Sequence, residues 1–176
     1  MTPTLDLRYP IGKASPVTKL EPSERSARID MIAALPSELE KAVEGLTDAQ
    51  LDTPYRPEGW TVRQTVHHLA DSHMNALTRL KLALTEDKPT LKPYDEKLWA
   101  ELADASLPIE PSLAIVRAVH ERWTTLLRSL EDQAFARLLV HPENGELTVD
   151  RLLEIYSWHG RHHVAHITGL RQRSGF

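Results

Sequence analysis

The chain has 176 residues, a formal net charge of −4 and no cysteine. This length predicts a single domain, residues 1–176, large enough to bury a sizeable core without cross-links. Without cysteine there are no disulfides and no thiolate ligands, so any metal ion must be held by nitrogen and oxygen atoms. An acidic chain with no basic run argues against nucleic acid or an anionic membrane as the main partner.

The first part of the chain differs in composition from the rest. Residues 1–22 contain four prolines and no steady hydrophobic period, which predicts an extended N-terminal arm on the surface. They carry no apolar segment behind a basic start, and no later stretch is apolar for the roughly 18 residues that a membrane span requires. We therefore expect a soluble, cytoplasmic protein.

Two helices are predicted in the first half of the chain. Apolar residues recur three and four positions apart over 29–46, which indicates a helix that begins near Ser23. Pro36 lies inside this pattern and should kink the helix or split it in two, because proline lacks an N–H group and crowds the preceding turn. A second, longer helix is predicted to start after Thr61, an N-cap residue followed three positions later by Gln64.

The middle of the chain is rich in proline. Four prolines from Pro89 to Pro111 predict a long crossover connection, with one short helical piece over 95–103. Pro111 suits the first turn of a third helix, which should end near Glu131.

The last helix is preceded by turn signals. A short helical turn is predicted over 132–135, followed by a tight turn at Asn144-Gly145 that suits a small hairpin. Thr148 is a suitable N-cap for the last helix, and Gly175 a suitable terminator. Four amphipathic helices with little strand signal predict an all-α fold, a four-helix bundle.

The segment 158–166 is the most informative stretch of the sequence, since it holds four of the nine histidines. In a helix, His159, His163 and His166 would share a face with apolar residues. A buried polar group without a partner costs about 1–3 kcal/mol, so these imidazoles need partners or a ligand. His159 and His163 lie four residues apart, the spacing by which two helical histidines can hold one metal ion.

A third ligand is expected from another helix, because bundles build metal sites from side chains on facing helices. The other dense histidine stretch is 67–73. With Val66 and Leu69 in the core, His67 and His68 fall at opposite edges of the apolar face. The hydrophobic period therefore does not choose between these two histidines.

The segments 59–64, 67–73 and 158–167, with Trp60 eight residues before His68, resemble the DinB superfamily and most closely its YfiT-like branch of metal-dependent hydrolases. The resemblance extends over almost the whole chain. It implies a four-helix bundle that carries one divalent metal ion on His68, His159 and His163. It also implies that the protein is a homodimer.

Three histidine ligands leave a coordination position open, as in catalytic rather than closed structural sites. Water there would have its pKa lowered to roughly 7, which favours hydrolysis of a small-molecule substrate. Zinc suits three imidazoles best, and nickel, cobalt or manganese could occupy the same ligands.

Two alternatives to a hydrolase remain at this stage. Other members of the superfamily resemble thiol S-transferases, in which the metal activates a low-molecular-weight thiol such as bacillithiol, mycothiol or glutathione. The other alternative is a non-catalytic helical module, in which a metal ion or the histidine cluster only stabilises a dimer. That module predicts a closed fourth coordination position or no cavity beside the ion.

Further residues are candidates for supporting roles. Partners that orient the imidazoles are expected from Asp71, Glu154 and Tyr156, and pocket residues from His67, His162 and Trp158. Other residues are interpreted as structural: His73, His120 and His166 as core histidines bonded to backbone carbonyls, Trp60 as a core or interface anchor, and His141 as a turn residue.

Overall fold

The computed structural model describes residues 6–143 and 145–176. Its elements in chain order are helices α1 (Pro22–Val43), α2 (Asp48–Leu51), α3 (Val62–Thr85), α4 (Glu96–Trp99), a 3-10 turn (Ala103–Ser106), α5 (Glu110–Arg128), α6 (Asp132–Phe135), strands β1 (Leu138–His141) and β2 (Gly145–Thr148), and α7 (Val149–Ser174). The two strands form an antiparallel pair. Among these described residues, no helix is long and apolar enough to cross a lipid bilayer.

The four long helices form the predicted four-helix bundle. Helix α1 packs against α5 and α7, and α3 packs against the same two helices. Therefore α1 and α3 lie across the bundle from each other, as do α5 and α7, whereas the consecutive long helices α3 and α5 are neighbours. The crossover connection from α3 to α5 contains α4 and the 3-10 turn.

The helix ends follow from capping residues. The Thr61 hydroxyl accepts a hydrogen bond from the backbone N–H of Gln64, and the Gln64 side-chain oxygen accepts one from the backbone N–H of Thr61, so α3 begins with a capping box. Thr148 caps α7 in the same position, accepting from Arg151 N–H. Gly175 ends α7 with a φ of 73°, the left-handed conformation that glycine adopts without strain.

One detail of α1 differs from expectation, and two predicted segments lie partly outside the described residues. Helix α1 runs through Pro36 without a break, so the predicted splitting is wrong. The bundle supplies the reason: the carbonyl of Ile32, which residue 36 would normally engage, accepts a hydrogen bond from His120 Nδ1 at 2.6 Å. Of the predicted hairpin turn, Asn144 lies outside the described residues, and so do residues 1–5 of the predicted arm.

The arm residues 6–21 contain no helix or strand and lie along the start of α7. The carbonyl of Gly12 accepts from Trp158 Nε1 at 3.0 Å, and that of Thr18 accepts from the Thr148 hydroxyl at 2.7 Å. Leu20 N–H donates to the buried Asp150 carboxylate at 3.1 Å. The arm is therefore tied to the last helix by main-chain groups.

A layer of histidines crosses the interior between two apolar clusters. One cluster is centred on Trp123 and Leu80, and the other on Leu69 and Ile167. His73 of α3, His120 of α5, and His159 and His163 of α7 fall in sequence between the parts of their helices that supply each cluster, whereas His68 lies within the part of α3 that supplies the second cluster. We call these residues the histidine layer: His68, His73, His120, His159 and His163. The candidate site is therefore built into the middle of the bundle.

Candidate metal centre

Three histidines converge in this layer. His68 comes from α3, and His159 and His163 come from successive turns of α7. One ring nitrogen of each lies within 4.8 Å of the others, and among the described residues this is the one such group of three potential ligands. The Nε2 atoms of His68 and His159 are 3.2 Å apart. The structure thus brings together the three residues that the family resemblance implies.

The spacing fits a shared ion. Two nitrogens bound to one zinc at about 2.0–2.1 Å each lie about 2.8–3.4 Å apart at angles between octahedral and tetrahedral. The 3.2 Å between His68 Nε2 and His159 Nε2 falls in that range. A set of imidazole nitrogens suits zinc, nickel and cobalt.

The protonation of these imidazoles also suits a cation. Burial lowers the pKa of His68 to about 4. Burial, followed by the neighbouring imidazoles, lowers the pKa values of His159 and His163 well below the ordinary value. The three side chains are therefore neutral at pH 7, and each has a nitrogen lone pair to offer a metal.

Two further histidines extend the cluster across the bundle. His73 Nε2 lies 3.1 Å from His159 Nδ1, and His73 Nδ1 lies 2.7 Å from His120 Nε2. Both side chains are almost fully buried, at 0% and 1% exposure. His120 bonds a backbone carbonyl, as interpreted from the sequence, whereas His73 contacts two imidazoles instead of a carbonyl. The sequence does not predict that His73 and, through it, His120 are connected to His159. The only signal in the sequence was their position on the apolar faces of α3 and α5.

An open cavity lies beside His68 and His159. Its volume is about 720 Å³. The Trp60 ring lies 4.6 Å from that of His68 and forms one wall, rather than serving only as a core anchor. Other lining residues are Ser72, Arg79, Tyr94, His141 and Tyr156. A small molecule could therefore approach the exposed edge of the histidine cluster.

The three expected orienting residues have different surroundings. The Tyr156 ring packs edge-on against His159 at 5.8 Å, and its hydroxyl accepts from Arg79 Nη1 at 2.9 Å. Asp71 is half-buried in a small crevice beside His68, and burial raises the pKa of its carboxyl group. Glu154 instead pairs with Arg28 of α1 at 2.9 Å. Tyr156 is thus the one of the three in ring contact with a candidate ligand.

The expected pocket residues lie around the cluster rather than in the large cavity. His67 contacts the Ser112 hydroxyl at 2.7 Å and the Leu107 carbonyl at 3.0 Å. The His162 ring stacks on Trp158 at 4.3 Å and lies 6.0 Å from the ring of Tyr9 in the N-terminal arm. His67 is therefore held by the segment around α5, whereas its neighbour His68 points into the histidine layer.

The fold and this cluster define a class: a four-helix bundle with a candidate metal centre of three histidines. Residues 31–167 match the DinB superfamily. The chain belongs to that superfamily, and the predicted family is confirmed.

Close relatives cover nearly the whole chain. This chain is 49% identical to YfiT from Bacillus subtilis, and the two structures align with a TM-score of 0.94 over 97% of this chain and 98% of YfiT. YfiT is described as a probable metal-dependent hydrolase with an unusual four-helix bundle topology. A protein from Bacillus cereus (strain 03BB102), also named as an inferred metal-dependent hydrolase, is 51% identical over 96% of this chain and 97% of its own length.

A more distant solved structure shares the fold. TT2238, a four-helix bundle protein, has a TM-score of 0.57 and 19% identity, and covers 80% of this chain and 94% of its own. At that level of identity the likeness supports the bundle architecture alone.

Proposed function

We propose that this protein is a metal-dependent hydrolase that holds one divalent ion on His68, His159 and His163. The observation that carries the proposal is the convergence of three neutral imidazoles beside an open cavity. Three protein ligands leave a position free, which is the arrangement of catalytic rather than structural zinc sites. Zinc is the preferred ion, with nickel, cobalt or manganese as substitutes.

The residues around the cavity have separable roles in this proposal. A divalent ion, when bound, supplies the Lewis acidity that activates water and polarises a substrate carbonyl or phosphoryl group. Arg79, held by the Tyr156 hydroxyl, presents guanidinium N–H groups that can bind an oxygen of the substrate. Trp60 shields the His68 side of the cluster from bulk water. The cavity volume suits a small-molecule substrate.

The metal content of protein purified without an affinity tag tests the ligand set. We expect about one equivalent of zinc or nickel in the parent and little in His68→Ala or His159→Ala. His67→Ala is the matched control, because it removes the adjacent imidazole on α3, which is bonded to Ser112 instead. Equal metal loss from His67→Ala and His68→Ala would contradict the assignment.

Cobalt substitution separates the proposed hydrolase from its alternatives. A cobalt-loaded hydrolase should change its visible spectrum with azide and should cleave chromogenic esters or phosphate esters. A spectral change with bacillithiol or glutathione, together with thiol conjugation and no hydrolysis, would instead indicate a thiol S-transferase. A spectrum insensitive to all these ligands would indicate a closed, non-catalytic site.

The proposal includes a homodimer and a cytoplasmic location. The dimer is carried over from the family resemblance, and the location from the sequence composition. Light scattering of the purified protein, which gives a mass to compare with the 19.9 kDa chain, tests the dimer.

A further inference from the structure

An unusual feature of α1 supplies the starting point. In a regular helix the carbonyl of Ile32 would accept from the N–H of residue 36, but residue 36 is proline and has no N–H. The carbonyl is therefore available to another donor. His120 Nδ1, from α5, lies 2.6 Å from it.

The order of donors and acceptors follows from this anchor. A carbonyl oxygen only accepts, so His120 carries its proton on Nδ1. The rings of His73 and His120 are almost fully buried, at 0% and 1% exposure, and their hydrogen-bond partners are imidazoles and a carbonyl rather than a carboxylate. A buried charge without a counter-charge is costly, so both rings are neutral and each donates from one nitrogen only. His120 Nε2 must therefore accept from His73 Nδ1, at 2.7 Å.

The same reasoning reaches the candidate ligand. Having donated from Nδ1, His73 accepts at Nε2, and its partner there is His159 Nδ1 at 3.1 Å. His159 thus holds its proton on Nδ1 and keeps the lone pair on Nε2. That Nε2 is the atom 3.2 Å from His68 Nε2, inside the candidate metal centre.

We propose that His120 and His73 form a positioning relay, anchored on the Ile32 carbonyl, that holds His159 in the tautomer whose free Nε2 faces the metal centre. Histidine ligands usually donate their second N–H to a carboxylate, a backbone carbonyl or water. Here two imidazoles stand between the ligand and the carbonyl, so helices α1, α5 and α3 all take part in orienting one side chain of α7. The inference rests on the proposed metal site.

A parallel arrangement exists on the next turn of α7. His166 Nε2 lies 3.4 Å from the carbonyl of Arg8, and His166 Nδ1 lies 3.4 Å from His163 Nδ1. By the same donor order, His163 would donate from Nδ1 and keep its lone pair on Nε2. These contacts are longer than those of the relay and therefore weaker.

Nitrogen NMR of the metal-free protein tests the relay directly. With histidine labelled with ¹⁵N, two-bond proton couplings distinguish a protonated ring nitrogen from a bare one. We expect His120, His73 and His159 all to be protonated on Nδ1 at pH 8. A proton on Nε2 of His159 or of His120 would overturn the proposal. This measurement needs no variant and no bound metal, so it decides the relay even if the parent takes up no zinc, a result that would refute only the proposed function.

Zinc affinity tests the consequence of the relay. His120→Leu removes the anchor while leaving His73 between the substituted residue and His159. We expect a loss in zinc affinity of about 10- to 100-fold, as for other groups that support metal ligands, together with a mixed tautomer signal for His159. Parent-like affinity with an unchanged His159 tautomer would overturn the proposal.

Thr124→Val is the matched control on the same helix. Thr124 is buried one turn from His120 and donates to the carbonyl of that residue at 2.8 Å, but it is not part of the relay. A merely structural effect of changing buried polar groups on α5 would appear in this variant too. We expect its zinc affinity and its His159 tautomer to match the parent. An equal loss of affinity in both variants would contradict a specific relay.

Discussion

Adjacent residues on α3 show how much one position matters. His67 and His68 have the same side chain, but His67 is bonded to Ser112 and the Leu107 carbonyl, whereas His68 lies against Trp60 and His159. A helical step of about 100° turns one ring toward α5 and the other toward α7. Although both residues are histidines, only His68 is therefore placed where it could bind the same ion as His159.

Gly160 is a second position where one residue decides the packing. It lies on α7 between the two candidate ligands of that helix, and a Cβ atom added there would overlap the side chain of Leu35 on α1. Leu35 is 2% exposed and has little room to move. The glycine therefore lets α1 approach the histidine-bearing face of α7.

We expect Gly160→Ala to destabilise the protein, because an overpacking cost of about 1–3 kcal/mol exceeds the gain of roughly 1 kcal/mol in helix propensity. Urea unfolding of the parent and of Gly160→Ala measures the difference in their free energies of unfolding. In a Leu35→Ala background, which opens space, the same substitution should become neutral or stabilising. Equal effects in both backgrounds would show that Gly160 does not limit this contact.

The candidate site could be predicted from sequence only in part. The four-residue spacing of His159 and His163 indicates a ligand pair by helix geometry alone, whereas the choice of His68 over His67 depended on the family resemblance. His73 and His120 could not be placed, because their contact depends on which helices are neighbours in the bundle. Pro36 predicts a kink or a split in the first helix, and the continuity of α1 could not be foreseen, since nothing in the sequence shows that a histidine from α5 satisfies the freed carbonyl.

At the scale of elements, helix starts were predictable because capping is local. Thr61 and Thr148 satisfy backbone N–H groups within three residues of themselves, so the signal and its effect lie in one short segment. The pairing of helices is different, since it depends on contacts between distant segments. The buried ion pair between α1 and α7 is one such contact, and its two residues lie 125 positions apart.

In this pair Arg25 makes two hydrogen bonds to Asp150, from Nε at 2.7 Å and from Nη2 at 2.9 Å. Both side chains are under 10% exposed, and Asp150 also accepts from Leu20 N–H of the arm. The pair therefore joins the arm, α1 and the first turn of α7. Removal of Arg25 would leave the Asp150 carboxylate buried without a counter-charge.

Arg25→Ala should lower the free energy of unfolding by about 3–5 kcal/mol, which is typical of breaking a buried ion pair. The control is Arg128→Ala, which removes an exposed ion pair with Asp30 between α5 and α1 and should cost less than about 1 kcal/mol. Urea unfolding of both variants measures the difference. Similar losses would mean that the Arg25 pair contributes no more than a surface contact.

At the scale of the whole molecule, the histidine layer divides the core. Two apolar clusters lie on either side of it, and each draws residues from α3, α5 and α7. The clusters supply hydrophobic burial without help from a metal, so we expect the metal-free chain to remain folded. A bound ion would add stability by mass action, since the ligands are assembled only in the folded state.

Removal of metal should therefore lower the melting temperature without unfolding the protein at 25 °C. Free zinc at 100 times its Kd would stabilise the folded state by about 2.7 kcal/mol. Calorimetry with zinc and with EDTA measures the shift, and His68→Ala should show none. An unfolded protein in EDTA would indicate instead that the metal is required for folding.

The buried histidines should also make the metal-free protein sensitive to acid. Burial lowers the pKa of His162 to about 4, against an ordinary value of 6.5. Above pH 7 this residue is unprotonated in both the folded and the unfolded chain, so its contribution to the free energy of unfolding does not change with pH. Between pH 6.5 and 4 the unfolded chain binds the proton and the folded chain does not, so stability falls as the pH falls.

His162 is the best single residue for this measurement, because it is 7% exposed, stacks on Trp158 and is not a proposed ligand. Within the described residues its Nδ1 has no hydrogen-bond partner, so phenylalanine can replace the ring without breaking a bond. Between pH 8 and pH 5 the free energy of unfolding of the parent should fall by about 2 kcal/mol more than that of His162→Phe. Urea unfolding in EDTA at both pH values gives this difference. Equal decreases in the free energy of unfolding of parent and variant would show that His162 is protonated in the folded protein as readily as in the unfolded chain. The N-terminal arm would then not exclude water from this part of α7.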